Sequence, residues 1–508
     1  MYLGIDVGTQ GSRAIAIDES GTILASGSGE HALSTPRPGW TEQDPEEWWR
    51  AVKLAVAELG GKIDLREVRG VGLTGQMHGS VFLDEGEQVI RPALLWNDQR
   101  TAVQTAAMQD LAGDQLMGIA LSPAITGFQA PKILWLRDNE PENYARIESV
   151  LLPKDFVRLR MSGRRATDAA DASGVLLLDV ARRRWSDQLL DAFQIPAHWL
   201  PEVFEGPQDT GGINAAAAAE LGLPEGTPIA AGGGDNSAAA IGTGIVREGI
   251  VSASIGTSGV VFAHADRPVA DPGGRIHTMC HSVPDAFHYR GVILSAGMSL
   301  RWLRDLLLDP ASGARFAGDG DPYDLLTAAA ADAPPGAEGL VFLPYLTGER
   351  TPHLDPDARG ALVGVTLRHS VGHVARAVIE GVTFAMADCL HLISDLGVRA
   401  DRVIATGGGA RSDFWVQTMA DVFGLPVQRT ASEEGPAFGA AILGAVAGGG
   451  HSDVQTAVDA CVGYSELFEP DPGRVESYRD YYGVFRALYR DHLREPSHQL
   501  AALVRDDA

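Results

Sequence analysis

Short apolar segments alternate with polar, glycine-containing turns along this chain. At its start, an apolar strand at Tyr2–Val7, a polar turn at 8–12 and a second strand at Ala14–Ile17 predict a β-hairpin. A helix at Pro45–Leu59 and a strand at Val68–Leu73 follow. Strands and helices continue to alternate through the middle of the sequence, and this order predicts an α/β protein.

The second half of the chain repeats the beginning in outline. The segments Val251–Ile255 and Val260–Ala263, joined by a Gly-Thr turn, repeat the opening hairpin. The strand Arg402–Ala405 then enters a Thr-Gly turn as the strand Arg69–Leu73 does. Turns of this kind are common and short repeats arise by chance, but two units in the same order favour a duplication.

The duplication predicts two similar domains, 1–245 and 246–508, that face each other across a cleft. The boundary is expected at 242–249, after a small-residue helix. The halves differ at one position, since Asp6 precedes the first glycine turn and Ser254 stands at the matching place in the second. This difference is expected if both halves bind nucleotide phosphates but only one handles a metal ion.

Composition and charge exclude several classes of protein. The chain has 508 residues, 45% of them hydrophobic and 21% charged, which is ordinary for a folded protein. Its net charge of −25 disfavours binding to nucleic acids or to anionic membrane surfaces. Three widely spaced cysteines form neither a disulfide framework nor a zinc motif, and the N-terminus has no secretory signal pattern. These features predict a cytoplasmic protein.

The glycine turns offer a place for a nucleotide. A Walker-type phosphate loop is absent, because the single Gly-Lys pair, at 61–62, is followed by Ile63. The Gly-Thr hairpin turns can instead direct backbone N–H groups and a hydroxyl at phosphates, and Arg13 can add a positive charge. The glycines at 407–409 leave space for a base. Each turn alone is also explained as a plain hairpin turn, so only the set favours nucleotide binding.

Two carboxylates are placed for chemistry. Asp235 follows three glycines and precedes a small-residue helix, which predicts a side chain presented near the positive end of a helix dipole. An ordinary N-cap explains one polar residue there, but not the glycines before it. Asp6 ends an apolar strand beside a phosphate-type turn, where hydrated Mg²⁺ is a natural partner. Phosphoryl transfer needs a metal, donors to the phosphates and a proton acceptor. We therefore assign Asp6 to the metal and Asp235 to the hydroxyl.

These segments together resemble the FGGY carbohydrate kinases, within the superfamily of sugar kinases, chaperones and actin. The resemblance extends from GIDVGTQGSR at the start to GPAFGAAILGA at Gly435–Ala445. Six segments in the same order carry it: GQMHG at 75–79, LLWNDQR at 94–100, LLPKDF at 151–156, GGGDN at 232–236, SIGTSG at 254–259 and FLPYLTGERTPH at 342–353. The resemblance implies two ribonuclease H-like domains with the active site in an interdomain cleft. GQMHG resembles the members that phosphorylate D-xylulose, rather than the glycerol, ribulose and gluconate kinases.

The activity that the resemblance implies is transfer of phosphate from ATP, with Mg²⁺, to D-xylulose, giving D-xylulose 5-phosphate. A homodimer is expected at the level of the family. The residues that match functional positions of the family are Asp235 as the catalytic base; Met77, His78, Asp235 and Asn236 for the sugar; Asp6 for Mg²⁺; Gly8, Thr9, Gln10 and Arg13 for the first phosphate turn; Thr257 for the second; and Gly297, Arg301, Gly409, Ala410 and Asp413 for the nucleotide. Two positions depart from the family pattern, because Gln10 stands where Ser or Thr is commoner and Asp413 where Asn is common.

Two alternatives stay open. One is a related kinase that acts on another ketose, a polyol or a sugar acid. The other belongs to a different class, a chaperone-like ATPase or a nucleotide-dependent binding module with the same fold. Such a module would lack a polyol pocket, and GQMHG followed by GGGDN speaks against it.

Overall fold

The computed structural model describes residues 1–308, 320–432 and 434–506. The chain divides into two compact units. The first unit comprises Met1–Arg247, His264–His288 and Glu434–Val462, and the second comprises Glu248–Ala263, Tyr289–Glu433 and Gly463–Ala508.

The described strands, in chain order, are β1 (Tyr2–Val7), β2 (Gly11–Ile17), β3 (Ile23–Glu30), β4 (Glu42–Gln43), β5 (Gly70–Gly75), β6 (Val81–Leu83), β7 (Ala93–Leu94), β8 (Ser149–Leu151), β9 (Ala166–Asp168), β10 (Leu178–Asp179), β11 (Arg184–Trp185), β12 (Glu202–Phe204), β13 (Asp209–Gly212), β14 (Pro228–Gly234), β15 (Gly249–Ile255), β16 (Gly259–Ala265), β17 (His277–Cys280), β18 (Phe287–Ile293), β19 (Val341–Leu343), β20 (Ala361–Val363), β21 (Ala400–Thr406), β22 (Val427–Thr430) and β23 (Tyr464–Phe468).

The described α-helices, in chain order, are α1 (Pro45–Gly60), α2 (Ala102–Gln115), α3 (Gln129–Asn139), α4 (Pro141–Tyr144), α5 (Pro153–Ser162), α6 (Ala169–Ala172), α7 (Asp187–Phe193), α8 (Ala215–Leu221), α9 (Asp235–Gly242), α10 (Gly297–Leu308), α11 (Pro322–Asp332), α12 (Val371–Asp395), α13 (Asp413–Phe423), α14 (Pro436–Ala447), α15 (Val454–Cys461), α16 (Pro472–Ala487) and α17 (Arg494–Asp506).

The main sheet of the first unit has the strand order β13-β14-β5-β1-β2-β3. Strand β1 is antiparallel to β2 and parallel to β5, and β5 is parallel to β14. The predicted hairpin is confirmed, and the strand predicted at Val68–Leu73 is observed two residues later. It extends to Gly75 because it pairs in register with β1 up to Val7.

Helices cover the sheet of the first unit, which explains why its central strands are mostly apolar. Helix α1 packs on β2 and β3, and α14 packs on β1, β5 and β14. The approach of α14 is so close that a Cβ atom at Gly4 or Gly72 would overlap carbonyl oxygens of that helix. The glycines in the strands and the small residues of α14 therefore pack directly against one another.

The second unit repeats this arrangement of strands. Neighbouring strands of its sheet follow the order β18-β16-β15-β21-β22-β23. Strand β15 is antiparallel to β16 and parallel to β21, and β21 is parallel to β22, as β1, β2, β5 and β14 are related in the first unit. The predicted fold class, α/β with two similar ribonuclease H-like domains, is confirmed. The domain limits 1–245 and 246–508 stay a prediction; α9 ends at Gly242 and β15 begins at Gly249.

Of the described helices, α12 is long and apolar enough to cross a membrane. However, 83% of its apolar window is buried in the folded chain. Its buried charges are also paired, since Arg376 Nε lies 2.7 Å from Glu380 Oε1 and Tyr478 donates to the same oxygen. These contacts are those of a core helix.

Candidate active site

The carboxyl ends of three neighbouring strands meet at one edge of the first sheet. Asp6 is opposite Thr74 in the β1–β5 pair, and Gly234 is opposite Gly75 in the β5–β14 pair. The GQMHG segment leaves β5 at that edge, and Asp235 follows the last residue of β14. Ligands of α/β sheets characteristically bind outside the carboxyl ends of the strands.

Asp6 is half-buried, and its Oδ1 atom is buried with no hydrogen-bond partner among the described residues. Burial raises the pKa of Asp6 to about 7, and the negative charge of Asp235 adds to this shift. Arg13 acts in the opposite direction. The structure therefore places the two predicted carboxylates close enough to interact electrostatically.

The three glycines before Asp235 are required by close packing. Gly232 has φ 82°, and a Cβ atom there would overlap the carbonyl oxygen of Leu73. A Cβ atom at Gly234 would lie 2.6 Å from Met77 Cγ. The triple glycine thus lets β14 come close to β5 and to the GQMHG segment.

Asp235 is the first residue of α9, and Gly234 occupies the N-cap position, so the N-cap interpretation of Asp235 is wrong. Its Oδ1 atom accepts hydrogen bonds from the backbone N and the Nδ2 of Asn236, both at 2.7 Å. Asn236 Nδ2 also lies 3.7 Å from Met77 Sδ. The helix N-terminus next to Asp235 favours negative charge at this place.

The GQMHG segment has an unusual backbone. His78 has φ 66°, a left-handed conformation that costs a residue other than glycine about 1–2 kcal/mol. Its Nδ1 atom lies 3.2 Å from Gly174 O, and its ring stacks on Phe128 with centroids 4.3 Å apart. A side chain at Gly174 would overlap the His78 ring. Met77 and His78 are both buried, so the candidate sugar residues are held on a packed surface.

The first phosphate turn is held by side chains from outside the turn. Gly8 N donates to Gly11 O at 3.0 Å, which closes the hairpin. Thr9 Oγ1 accepts from Trp96 Nε1 at 3.0 Å, and Thr9 O accepts from Gln43 Nε2 at 2.6 Å. Gln76, in GQMHG, donates to Gly8 O at 3.3 Å and therefore links the phosphate turn to the sugar turn.

The other two residues of this turn are more exposed. The Gln10 side chain is exposed, and the backbone oxygen of Gln10 accepts a hydrogen bond from His31 N at 3.3 Å. Arg13, predicted to supply a positive charge, forms an ion pair with Glu434, 421 residues away along the chain. The pairing partner was not predictable from the local sequence.

In the second unit, the turn of the β15–β16 hairpin contacts the start of α10. Gly297 N donates to Gly256 O at 2.8 Å, and Met298 N donates to Thr257 O at 3.2 Å. A Cβ atom at Gly409 would overlap Ile255, the last residue of β15. The structure thus brings Thr257, Gly297 and Gly409 to one place within this unit.

The remaining predicted nucleotide residues lie around that place. Ala410 is buried, and Arg301 is an exposed residue one turn further along α10. Asp413 is the first residue of α13 and is exposed; its Oδ1 atom accepts from Arg429 Nη2 at 2.6 Å. The carboxylate that replaces the common Asn is therefore engaged in an ion pair.

Sequence reasoning assigned no role to several residues that build the site. Arg158 is fully buried and donates to the carbonyl oxygens of Ala230 at 2.9 Å and Ala231 at 2.5 Å, which precede the triple glycine. Lys154, in the LLPKDF segment, lies 2.6 Å from Asp155 and 2.7 Å from Asp168. Charged residues in an otherwise apolar helix were a usable signal for this network, because charges are rarely buried without partners.

Among the described residues, no group of three or more His, Cys, Asp or Glu side chains could hold a metal ion by itself. The unpartnered Oδ1 atom of Asp6 nevertheless fits a hard cation with oxygen ligands. One carboxylate suits Mg²⁺, which retains waters and binds substrate phosphates as its other ligands.

Comparisons with known proteins agree with this geometry. The FGGY family of carbohydrate kinases, N-terminal domain, matches residues 1–242, and the C-terminal domain of that family matches 251–448. The xylulose kinase of Escherichia coli K12 is 40% identical over 97% of this chain and 99% of its own length, and that of Lactococcus lactis is 37% identical over 98% of both.

A solved structure is also similar along nearly its whole length. The crystal structure of the xylulose kinase from Rhodospirillum rubrum superimposes with a TM-score of 0.90 and 32% identity, over 98% of this chain and 99% of that one. The two family domains and the full-length relatives lead to one conclusion: the chain belongs to the FGGY family of carbohydrate kinases, which are phosphotransferases that act on a sugar hydroxyl.

Proposed function

We propose that this protein phosphorylates D-xylulose to D-xylulose 5-phosphate with ATP as the phosphate donor. The observation that carries the proposal is the 40% identity, over nearly the whole of both chains, with a relative named xylulose kinase. The GQMHG and GGGDN segments at one edge of the first sheet support it, because they supply polar groups for a polyol beside a carboxylate.

Met77, His78 and Asn236 are proposed to bind the sugar. A buried sugar hydroxyl without a partner costs about 1–3 kcal/mol, so a ketose site needs such polar groups in fixed positions. The His78 ring is held between Gly174 O and Phe128, and Asn236 is held next to Asp235. A preorganised site of this kind lowers the entropy cost of binding.

Asp235 is proposed to act as the general base. It takes the proton from the terminal hydroxyl of the sugar while that oxygen attacks the γ-phosphorus of ATP. The new oxygen–phosphorus bond forms as the bond to the β,γ-bridging oxygen breaks, and ADP leaves. Asp235 suits this role because it is the first residue of α9, and because Arg158 donates a hydrogen bond to Ala230 O in β14, the strand that leads to it.

The phosphates of ATP are proposed to lie against Gly8, Thr9, Gln10 and Arg13 in the first unit and Thr257 in the second. Gly297, Arg301, Gly409, Ala410 and Asp413 are proposed to hold the rest of the nucleotide. Asp6 would hold Mg²⁺, which neutralises phosphate charge when bound. Burial raises the pKa of Asp6 to about 7, and a cation bound nearby would lower that pKa and so favour the ionised form.

We also propose that the enzyme works in the cytoplasm as a homodimer, without nucleic-acid or membrane partners. The net charge of −25 supports the absence of polyanionic partners.

The proposal is tested with the purified protein, ATP, Mg²⁺ and a panel of D-xylulose, other pentuloses, hexuloses, glycerol and gluconate, with ADP formation as the readout. We expect the highest kcat/KM for D-xylulose and a product phosphorylated at C5. A higher kcat/KM for another member of the panel would contradict the assigned substrate. ATP turnover that does not depend on any sugar would favour an ATPase of the same fold.

A further inference from the structure

Helix α3 holds the sugar turn from behind. Two of its side chains, Gln129 and Lys132, are three residues apart and therefore lie on the same face of the helix. Lys132 Nζ donates to His78 O at 2.7 Å, and Gln129 Nε2 donates to Gly79 O at 2.9 Å. The two successive carbonyl groups of the left-handed turn are thus each fixed by one side chain of α3.

Lys132 also forms a hydrogen bond next to Phe128, whose ring stacks on His78. Its Nζ atom donates to Gly127 O, again at 2.7 Å, and Phe128 is the next residue. The Phe128 ring stacks on the His78 ring. One ammonium group is therefore bonded to the backbone of His78 and to the peptide that carries Phe128.

The position of Lys132 is costly for a lysine. The residue is fully buried, and burial lowers its pKa to about 7. Its hydrogen bonds to His78 O and Gly127 O go to neutral carbonyl oxygens rather than to a carboxylate. A methionine would fill the same volume without the desolvation cost, so packing alone does not explain a charged side chain here.

The strained backbone indicates what the lysine does. A left-handed conformation at a residue other than glycine persists only where the surroundings impose it, and such residues concentrate at ligand sites. His78 is held on three sides: by Lys132 at its carbonyl, by Gln129 at the next carbonyl and by Gly174 at its ring. Without the lysine, the turn is free to relax to an ordinary conformation and to move the ring.

We propose that Lys132 is a positioning residue for the sugar: it holds His78 in its left-handed conformation and aligns the stacked His78 and Phe128 rings as one wall of the sugar site. This inference rests on the proposed function, because it takes His78 as a sugar ligand. In this role, Lys132 does not itself contact the sugar.

The test is Lys132→Met, with Lys62→Met as the matched control. Lys62 also donates to a backbone carbonyl, Ser26 O at 2.6 Å, but at the exposed surface. We expect Lys132→Met to raise KM for D-xylulose at least about tenfold and to leave KM for ATP within about twofold, since the variant loses two buried hydrogen bonds and leaves both carbonyl oxygens without this donor. The control is expected to change neither. An unchanged KM for the sugar, or equal increases for sugar and ATP, would overturn the proposal.

A double-mutant cycle separates positioning from general stability. In a His78→Gly background the ring is absent and glycine adopts the left-handed conformation without help. Lys132→Met should then add less than about twofold to KM for the sugar. If it still adds the full tenfold, Lys132 acts through something other than His78. If Lys132→Met does not fold, Gln129→Met tests the same clamp, and an unchanged KM for the sugar in that variant would overturn the proposal.

A readout without substrate distinguishes failure of this inference from failure of the proposed function. Imidazole NMR signals of labelled histidine, with His78 assigned from a His78→Gln variant, are expected to shift in Lys132→Met and to stay in place in Lys62→Met. A protein that shows this shift but does not phosphorylate D-xylulose would contradict the proposed substrate alone. A His78 signal that is unchanged in Lys132→Met would contradict the positioning role, whatever the substrate.

Discussion

The two units share one arrangement of strands but differ in the residues that end them. In the first unit, Asp6 is the next-to-last residue of β1, and β14 ends in three glycines followed by Asp235. In the second unit, the corresponding β15 carries Ser254, and β22, the neighbour of β21, has the sequence VQRT without a glycine. The same arrangement of strand ends thus occurs in both units, and a few residues decide which of these ends carry a carboxylate.

Packing explains why this difference is coordinated. A carboxylate at the end of β14 is brought close to Asp6 only because Gly232 lets β14 approach Leu73. The second unit has glycines instead at the end of β21, where Gly407 has φ 82° and Gly409 faces Ile255. Glycine at these positions lets the turn after β21 pack closely against the end of β15, in the region proposed to hold part of the nucleotide.

The largest expected effect comes from making the first unit resemble the second. Asp6→Ser replaces the carboxylate with the residue found at the matching place in β15. We expect kcat to fall at least about 100-fold, because the proposed metal ligand is lost and stabilisation of transition-state charge is worth that much. Steady-state kinetics at saturating Mg²⁺ measures it. A fall in kcat of less than about tenfold would show that catalysis does not depend on the carboxylate that distinguishes β1 from β15.

A second prediction concerns the triple glycine. Gly232→Ala is expected to destabilise the fold by about 3–5 kcal/mol, because it combines a left-handed backbone with an overlap against Leu73 O. Gly226→Ala is the matched control, since Gly226 has φ 79° but no atom near its Cβ position. The control should cost only about 1–2 kcal/mol. Equal losses in urea unfolding would show that backbone conformation alone, and not close approach, makes Gly232 necessary.

A third prediction concerns pH. The pKa of Asp6 is raised from 3.8 to about 7 in the folded protein, so the folded state holds this proton more tightly than the unfolded state does. The contribution of Asp6 therefore makes stability fall as pH rises from about 4 to 7, with no further change above. Asp6→Asn removes this contribution and should stabilise the nucleotide-free protein by about 3 kcal/mol more at pH 8 than at pH 5. Calorimetric unfolding at the two pH values measures it, and equal changes at both would contradict the raised pKa.

The smallest effect is expected from the reverse exchange. Ser254→Asp places a carboxylate beside the second glycine turn, where it should repel phosphates and raise KM for ATP severalfold. The residues proposed to bind the sugar belong to the other unit, so KM for D-xylulose should stay within about twofold. A larger effect on the sugar than on ATP would contradict the assignment of this turn to the nucleotide.

Much of the fold was predictable because its signals are local. The hairpin at Tyr2–Val7, the helix that begins at Pro45 and the repeated strand–turn units follow from residue type and spacing over a few positions. The carboxylates Asp6 and Asp235 were identifiable for the same reason, since each adjoins a glycine turn. That Asp6 and Asp235 lie close together could be predicted only from the resemblance to a family or from the order of strands in the sheet. Neither is contained in a local sequence pattern.

The parts that were missed depend on contacts between distant segments. Lys132 meets His78 across 54 residues, and Arg13 meets Glu434 across 421. The segment Glu434–Val462 also packs within the first unit, where α14 covers β1 and β5. Pairings of this kind leave no periodicity in the sequence, because each partner by itself is an unremarkable residue on its own element.

We have proposed that Asp235 accepts the proton of the sugar hydroxyl during phosphoryl transfer. The most direct measurement is the single-turnover rate of transfer from γ-labelled ATP to D-xylulose in the wild type, Asp235→Asn and the control Asp187→Asn, with equilibrium binding of each substrate measured alongside. Asp187 is likewise the first residue of a helix but is exposed. We predict that Asp235→Asn lowers the rate at least about 100-fold while both dissociation constants stay within about threefold, and that the control is unchanged. A transfer rate within about tenfold of wild type in Asp235→Asn would contradict the account.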